Sequence, residues 1–282
     1  MRLTKTIHQL TLNFNIQIGP DKILPRTVNT LLIFGEKITL IDSGVKGCEE
    51  EIFSYIKSNG RSTDEIETLI LSHSHPDHIG SAARIKELTG CRVLAHPAEQ
   101  HWIENIDLQE KERPVPGFKS LVDEPVSIDQ FLVDGDSLTP APGTTIEVIH
   151  TPGHSAGLLS LLLREDQILF TGDAIPLKND IPNYDNFIEL KQSLRKISEK
   201  IYYKTLLTSW TPVRTNQQEI NSLIADGENF LNQIDQVVNK AYIGLEDQPF
   251  LHCSKAVASL GLPPFLVTPV VDKAFRSHFN QN

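Results

Sequence analysis

Four residues that can bind a metal ion lie within six positions, in the segment His-Ser-His-Pro-Asp-His at 73–78. His73 and His75 are two residues apart, so in an extended segment their rings point to the same side. The proline that follows restricts the backbone, and Asp77 and His78 then begin a predicted helix. These two side chains therefore aim at a neighbouring point. The segment predicts two adjacent metal positions, because metal sites need several imidazoles and carboxylates that converge.

Two further residues of ligand type occur in a similar context. His154 lies in Thr-Pro-Gly-His-Ser-Ala-Gly, and Asp173 lies in Phe-Thr-Gly-Asp-Ala. Each follows a predicted strand, and a glycine beside it lets the backbone turn sharply. The pattern predicts one metal position at His73, His75 and His154 and another at Asp77 and His78, with Asp173 able to bridge the two.

Strands with short helices between them must position these residues. Apolar runs rich in branched residues predict the strands, and apolar positions at helical spacing predict the helices. The predicted strands are 7–18, 28–34, 38–41, 66–71, 91–95, 131–133, 145–149, 158–163, 167–170 and 204–208. The predicted helices are 49–57, 81–88, 187–200, 219–240, 253–260 and 267–279. The order strand, loop, helix, strand around the histidine segment predicts parallel pairing.

The segment His96–Asp129 is polar and contains four prolines. We therefore expect it to run over the surface as a lid or as an insert that faces the substrate.

Composition limits the classes of partner. The 282 residues are 39% hydrophobic and 22% charged, as in globular proteins, and the formal net charge of -10 disfavours binding to nucleic acid. No apolar stretch is long enough for a membrane span, and the start of the chain alternates instead of forming a signal peptide. We therefore expect a cytoplasmic protein that acts on a small molecule. The scattered cysteines Cys48, Cys91 and Cys253 are predicted to be buried and unpaired.

With these motifs in place, the sequence resembles the metallo-β-lactamase superfamily. The resemblance rests on the segment 73–78, His154, Asp173 and the earlier Ile-Asp-Ser-Gly at 41–44, all in the family's order. It covers about residues 10 to 215 and implies an α/β fold, the αββα sandwich, with metals in a cleft at one edge of two sheets. It also implies that Asp42 supports the histidine loop. We predict a metal-binding domain over 1–215 and a helical appendage over 216–282, loosely similar to that of relatives of hydroxyacylglutathione hydrolase.

The chain departs from the family at one ligand. Members with two metals usually supply a last histidine after a late strand, and Trp210 stands there, in Leu-Thr-Ser-Trp-Thr-Pro at 207–212. An indole has no lone pair free for a metal, so Trp210 is a candidate for the wall of a substrate pocket. Four other histidines are weaker candidates for the missing ligand: His96, His101, His252 and His278.

The resulting hypothesis is a zinc-dependent hydrolase with one or two ions, for which iron or manganese are the alternatives. Metal-bound hydroxide would attack an ester-like acyl bond, such as a thioester or lactone, and Asp77 would orient the water and transfer its proton. Two alternatives stay open: an iron-dependent sulfur dioxygenase of the same fold, and a metal-binding module without turnover. The sequence is also compatible with a homo-oligomer.

Overall fold

The strand-forming residues of the first three-quarters of the chain build two β-sheets. The computed structural model describes residues 1–19, 22–199, 202–241 and 250–279. The first sheet has the order β1-β2-β3-β4-β5-β6, antiparallel from β1 to β3 and parallel from β3 to β6. Its strands are β1 (Ile7–Gly19), β2 (Lys22–Phe34), β3 (Ile38–Ile41), β4 (Ile66–Ile70), β5 (Arg92–Ala95) and β6 (Gln130–Phe131). The parallel pairing of β4 with β5 confirms the prediction made from the histidine segment.

The second sheet has the order β11-β10-β9-β8-β7 and is antiparallel except for the β10–β11 pair. Its strands are β7 (Ser137–Ala141), β8 (Thr144–His150), β9 (Leu159–Leu163), β10 (Ile168–Phe170) and β11 (Thr205–Leu207). The sequence analysis missed β7, because its strand contains a proline and its residues are mostly exposed or half-buried.

Branched and aromatic side chains of both sheets meet in one core between them. This core includes Ile33, Ile70 and Leu94 from the first sheet and Leu161 and Phe170 from the second. Since alternate residues of a strand point to opposite faces, the other face of each sheet needs a separate cover.

Helices cover both outer faces. They are α1 (Glu49–Ser58), α2 (Pro76–Ile79), α3 (Ala82–Thr89), α4 (Gln100–Ile103), α5 (Ile106–Glu112), α6 (Phe118–Leu121), α7 (Phe187–Glu199), α8 (Gln217–Ala241), α9 (Leu251–Ser259) and α10 (Pro269–Arg276). Helices α1 and α3 pack on the first sheet, and α7 to α10 pack on the second. The αββα sandwich is therefore confirmed. Of the predicted helix 187–200, the last residue lies outside the described residues.

The expectation that His96–Asp129 runs over the surface is wrong. The segment folds into α4, α5 and α6, and its apolar side chains join the core outside the first sheet. The buried side chains include Trp102, Ile103, Ile106, Phe118 and Leu121. Helices of one or two turns are too short to show an apolar period, so the prolines and charges dominated the sequence pattern.

The helices after residue 216 share one hydrophobic cluster with α7 and the second sheet. Phe230 and Ile234 of α8 and Phe275 of α10 belong to the same buried cluster as Leu190 and Leu194 of α7. Whether 216–282 is a separate domain stays a prediction. All three cysteines are buried and free, as expected. Within the described ranges, no helix has the length and apolar character to cross a membrane.

Candidate metal centre

The ligand-type residues lie on loops at one edge of the two sheets. His73 and His75 follow β4, and His78 lies in α2, where Pro76 occupies the first turn. His154 follows β8 and Asp173 follows β10, so both sheets contribute ligand-type residues to this edge. The backbone N–H of Leu159 donates to Ser72 O at 2.9 Å and joins the sheets at this edge.

Four of these side chains form a first group of buried donors, His73, His75, His154 and Asp173. One ligand atom from each lies within 4.8 Å of the others. His154 Nε2 is 2.8 Å from His75 Nδ1 and 3.2 Å from Asp173 Oδ2, and His73 Nε2 is 3.9 Å from the same carboxylate oxygen. The structure thus brings together the residues expected for one metal position.

A second group consists of Asp77, His78 and Asp173. His78 Nε2 is 3.3 Å from Asp77 Oδ2 and 3.5 Å from Asp173 Oδ1. Asp173 belongs to both groups, as a bridging ligand would. In the described part of the chain, no other histidine, cysteine or carboxylate joins this group.

The donor set fits a divalent cation. Five buried atoms of the two groups have no hydrogen-bond partner within the described residues: His73 Nε2, His75 Nε2, His78 Nε2, Asp77 Oδ2 and Asp173 Oδ1. Leaving buried polar atoms unsatisfied costs free energy, and imidazole nitrogens and carboxylate oxygens are the usual ligands of zinc and similar ions. Metal ions would satisfy such atoms together.

Burial and neighbouring charges set the protonation of the histidines in the two groups. Burial lowers the pKa of His73 and of His75 well below the usual value, so both rings are neutral and offer a lone pair. Burial also acts to lower the pKa of His78, but Asp77, Asp42 and Asp173 raise it well above the usual value. The three carboxylates around His78 therefore favour a positive charge at this ring, which can be a proton or a bound metal ion.

Asp42 lies beneath the histidine segment and is fully buried. Its Oδ2 is 2.8 Å from His78 Nδ1 and accepts from Ser72 Oγ at 2.8 Å, while its Oδ1 accepts from Ser72 N at 2.7 Å. The carboxylate thus holds the His78 ring through Nδ1, and the opposite nitrogen, Nε2, lies beside Asp77 and Asp173. That Asp42 supports the histidine loop stays a prediction.

Glu99 was missed by the sequence analysis. Its buried carboxylate accepts from Ser74 N at 3.1 Å, from Ser74 Oγ and from Gly157 N at 2.5 Å. It therefore joins the loop of His73 and His75 to the loop of His154. Since Glu99 lies in the polar segment after β5, no local pattern distinguishes it from surface acids.

A cavity of about 240 Å³ opens beside the two groups, with His75, Asp77, His154 and Asp173 in its wall. The remaining wall is mostly apolar and comes from β1 and β2, residues 113–121, the segment after Asp173, Trp210 and the C-terminal helices. It includes Phe14, Leu177, Trp210, Phe230, Phe265 and Val271. Part of the segment His96–Asp129 therefore lines this cavity, although the segment does not run over the surface.

Trp210 lies in this cavity wall, as the pocket hypothesis requires. Its ring is 6.4 Å from that of Phe14, and the guanidinium of Arg26 lies 4.9 Å from its centre. Arg26 also pairs with Asp180 at 3.0 Å. That Trp210 replaces the family's last histidine ligand stays a prediction.

The other histidines lie elsewhere. His96 stacks on His150 with ring centres 4.2 Å apart, and His101 is exposed. His252 lies on α9, and His278 contacts Tyr184 and Asp235. None of the four belongs to either ligand group among the described residues.

Comparison with known proteins agrees with this geometry. Residues 23–212 match the model of the metallo-beta-lactamase superfamily. The beta-lactamase-like protein 2 homolog of Caenorhabditis elegans is 31% identical over 183 residues, 64% of this chain and 55% of that protein. The atrochrysone carboxyl ACP thioesterase of Aspergillus fumigatus is 28% identical over 185 residues, 64% of this chain and 49% of that protein. The matches thus span about half the length of these two relatives.

A crystal structure shares the whole fold. A metallo-beta-lactamase family protein from Thermus thermophilus superimposes with a TM-score of 0.74 at 19% sequence identity. The match covers 99% of this chain and 95% of that chain, including the C-terminal helices. From the family match over most of the chain and the His/Asp groups at the sheet edge, we conclude that this chain belongs to the metallo-beta-lactamase superfamily of metallo-hydrolases.

Proposed function

We propose that the chain is a zinc-dependent hydrolase that cleaves an ester-like acyl bond, a thioester or a lactone, in a small molecule. The observation that supports this most is the meeting of two His/Asp groups with a largely apolar cavity. A reactive site in the wall of an apolar cavity suits an acyl group, which is itself apolar. The thioesterase named among the relatives acts on the same class of bond.

The chain's own residues would divide the work. His73, His75, His154 and Asp173 would hold one ion, and Asp77, His78 and Asp173 would hold a second. The ion supplies Lewis acidity and lowers the pKa of a bound water. Asp77 faces the cavity, and its Oδ2 has no hydrogen-bond partner within the described residues. This carboxylate would orient the water and carry its proton to the leaving group.

The substrate would enter between the aromatic side chains and the site. Trp210 and Phe14 would pack against the acyl chain and exclude water, while Asp42 and Glu99 keep the ligand loops in place. Water exclusion strengthens electrostatic interactions at the reacting carbonyl.

The first experiment measures metal content and hydrolysis together. We expect purified protein to contain zinc, a chelator to abolish hydrolysis of a panel of acyl thioesters and lactones, and zinc to restore it. Asp77→Asn should lower kcat by about 100-fold or more, since a positioned acid or base contributes that much. Asp64→Asn, an equal exchange at an exposed position, is the control.

Two results would contradict the proposal. Full activity of Asp77→Asn would remove Asp77 from the mechanism. Iron in the purified protein together with oxygen uptake on a persulfide would indicate the dioxygenase instead.

A further inference from the structure

Arg113 is a buried arginine in the wall of the cavity beside the candidate metal centre. It follows the last residue of α5, and only 3% of its surface is exposed. Arginine is rarely buried to this extent unless it has an anionic partner, because removing its charge from water costs free energy.

No such partner lies within reach in the described part of the chain. The Nη2 of Arg113 donates to the neutral amide oxygen of Asn183, and no carboxylate forms an ion pair with the guanidinium. Arg26, the other arginine of the cavity wall, differs in this respect because Asp180 neutralises it. Arg113 is thus the cation of the cavity wall that the described residues leave unpaired.

The carboxylates near Arg113 are engaged elsewhere. Burial lowers the pKa of Arg113, and Asp185, Asp77, Asp173 and Glu99 counteract this from a distance. Asp185 pairs with Lys273 at 2.9 Å, and Glu99 accepts from Ser74 and Gly157. A cation held by Asp77 and Asp173 would neutralise these two. The positive charge of Arg113 is then balanced by none of the described carboxylates, which leaves it open to a bound anion.

We propose that Arg113 binds a carboxylate of the substrate, so that the substrate is an acyl thioester or ester with an apolar body and one carboxylate. This inference rests on the proposed function. The planar guanidinium matches a carboxylate with two parallel hydrogen bonds. A carboxylate carries the single negative charge that one unpaired guanidinium balances, whereas a phosphate brings nearly two. The apolar wall would hold the rest of the molecule.

The test compares three synthetic thioesters of equal acyl length, ending in a carboxylate, a methyl group or a phosphate. We expect the metal-loaded protein to prefer the carboxylate. In Arg113→Gln, KM for that substrate should rise about 10- to 100-fold, which corresponds to the free energy of a hydrogen bond to a charged group. KM for the methyl analogue and both kcat values should stay unchanged. Arg195→Gln, on the exposed face of α7, is the matched control.

Other outcomes would overturn the inference. An equal loss on the carboxylate and methyl substrates would show that Arg113 only supports the fold. Unchanged KM values would show that it binds nothing, and a preference for the phosphate would exclude a carboxylate as the ligand. If Arg113→Gln does not fold, Arg113→Lys retains the charge without the planar fork, and should raise KM for the carboxylate substrate alone.

A binding measurement separates this inference from the proposed function. If the metal-loaded protein hydrolyses none of the thioesters, the proposed function fails, and calorimetric titration with octanoate then decides about Arg113. An affinity at least 10-fold weaker in Arg113→Gln than in the unmodified protein would support the anion site. Equal affinity of the two proteins would overturn it, because octanoate would then be held without the guanidinium.

Discussion

At the scale of residues, the candidate centre depends on side chains that orient the ligands. Asp42 fixes His78 through Nδ1, and Glu99 joins the loops that carry His75 and His154. A ligand that is held in place loses little conformational freedom when it binds an ion, so such partners raise metal affinity.

Replacing the carboxylate of Asp42 tests this role. Asp42 has a φ of +62°, which asparagine also adopts readily, so Asp42→Asn changes the charge with little strain in the backbone. We expect zinc affinity to fall by about 10- to 100-fold, as measured by competition with a chromogenic chelator. Asp64→Asn should leave the affinity unchanged. Equal affinity of Asp42→Asn and the unmodified protein would show that His78 keeps its orientation without this charge.

At the scale of elements, the ligand loops are held by close contacts with helices. The loop that carries His154 lies against the start of α7. Asp185 N and Asn186 N, directly before the helix, donate to Gly153 O at 2.8 and 2.9 Å. Gly153 has a φ of +120°, and a Cβ atom there would lie 2.2 Å from Leu190 N. Only glycine allows the loop and the helix to come this close.

Gly153→Ala should therefore destabilise the protein more than an alanine at a glycine with free space. Gly143 also has a positive φ, of +75°, but a Cβ atom there meets nothing within 4 Å. We expect a loss of about 3 kcal/mol in the free energy of unfolding for Gly153→Ala and about 1 kcal/mol for Gly143→Ala. Urea denaturation measures both. Equal losses would show that backbone strain alone, without the contact to α7, accounts for the effect.

At the scale of the whole molecule, the C-terminal helices form part of the wall of the cavity beside the candidate metal centre. Phe230 of α8 and Val271 of α10 line it, as does Trp210. They also share a core with α7 and the second sheet. We therefore propose that the predicted appendage over 216–282 folds against the metal-binding domain and helps to select the substrate.

His278 connects these parts and makes the connection sensitive to pH. Its Nε2 is 2.7 Å from Tyr184 Oη, its Nδ1 is 2.8 Å from Asp235 Oδ1, and its ring stacks on Phe187. Burial lowers the pKa of His278, although Asp235 partly counteracts this. The unfolded chain therefore takes up this proton first as the pH falls below about 6.5. The contribution of His278 to stability is present above that pH and is lost below it.

Comparing the unmodified protein with His278→Phe isolates this contribution. As the pH falls from 8 to 5, the free energy of unfolding should decrease more steeply in the unmodified protein than in His278→Phe. The two slopes should differ by at most about 1.4 kcal/mol per pH unit. Denaturant titrations at several pH values measure the difference. A parallel pH dependence of the two proteins would show that His278 has the same pKa in the folded and the unfolded state.

The sequence by itself determined the ligand types, their order and the strands that present them. His73, His75 and His78 lie within six residues shortly after β4, so their spacing alone predicts that their side chains converge. Local sequence also identified Trp210 as a departure from the family's ligand pattern, because it follows a predicted late strand, as the family's last histidine does. The apolar periods also predicted most of the strands and helices, whereas the αββα arrangement was implied by the resemblance to the family.

Only the tertiary structure showed the roles of Glu99 and Arg113 and the shape of the cavity. These features depend on contacts between segments far apart in the chain, such as Glu99 with Gly157 and Arg113 with Asn183. A polar residue in a segment of short helices has the same sequence pattern whether it faces water or the interior. Folding decides between the two, because the apolar neighbours in α4 to α6 enter the core and carry these polar side chains inside with them.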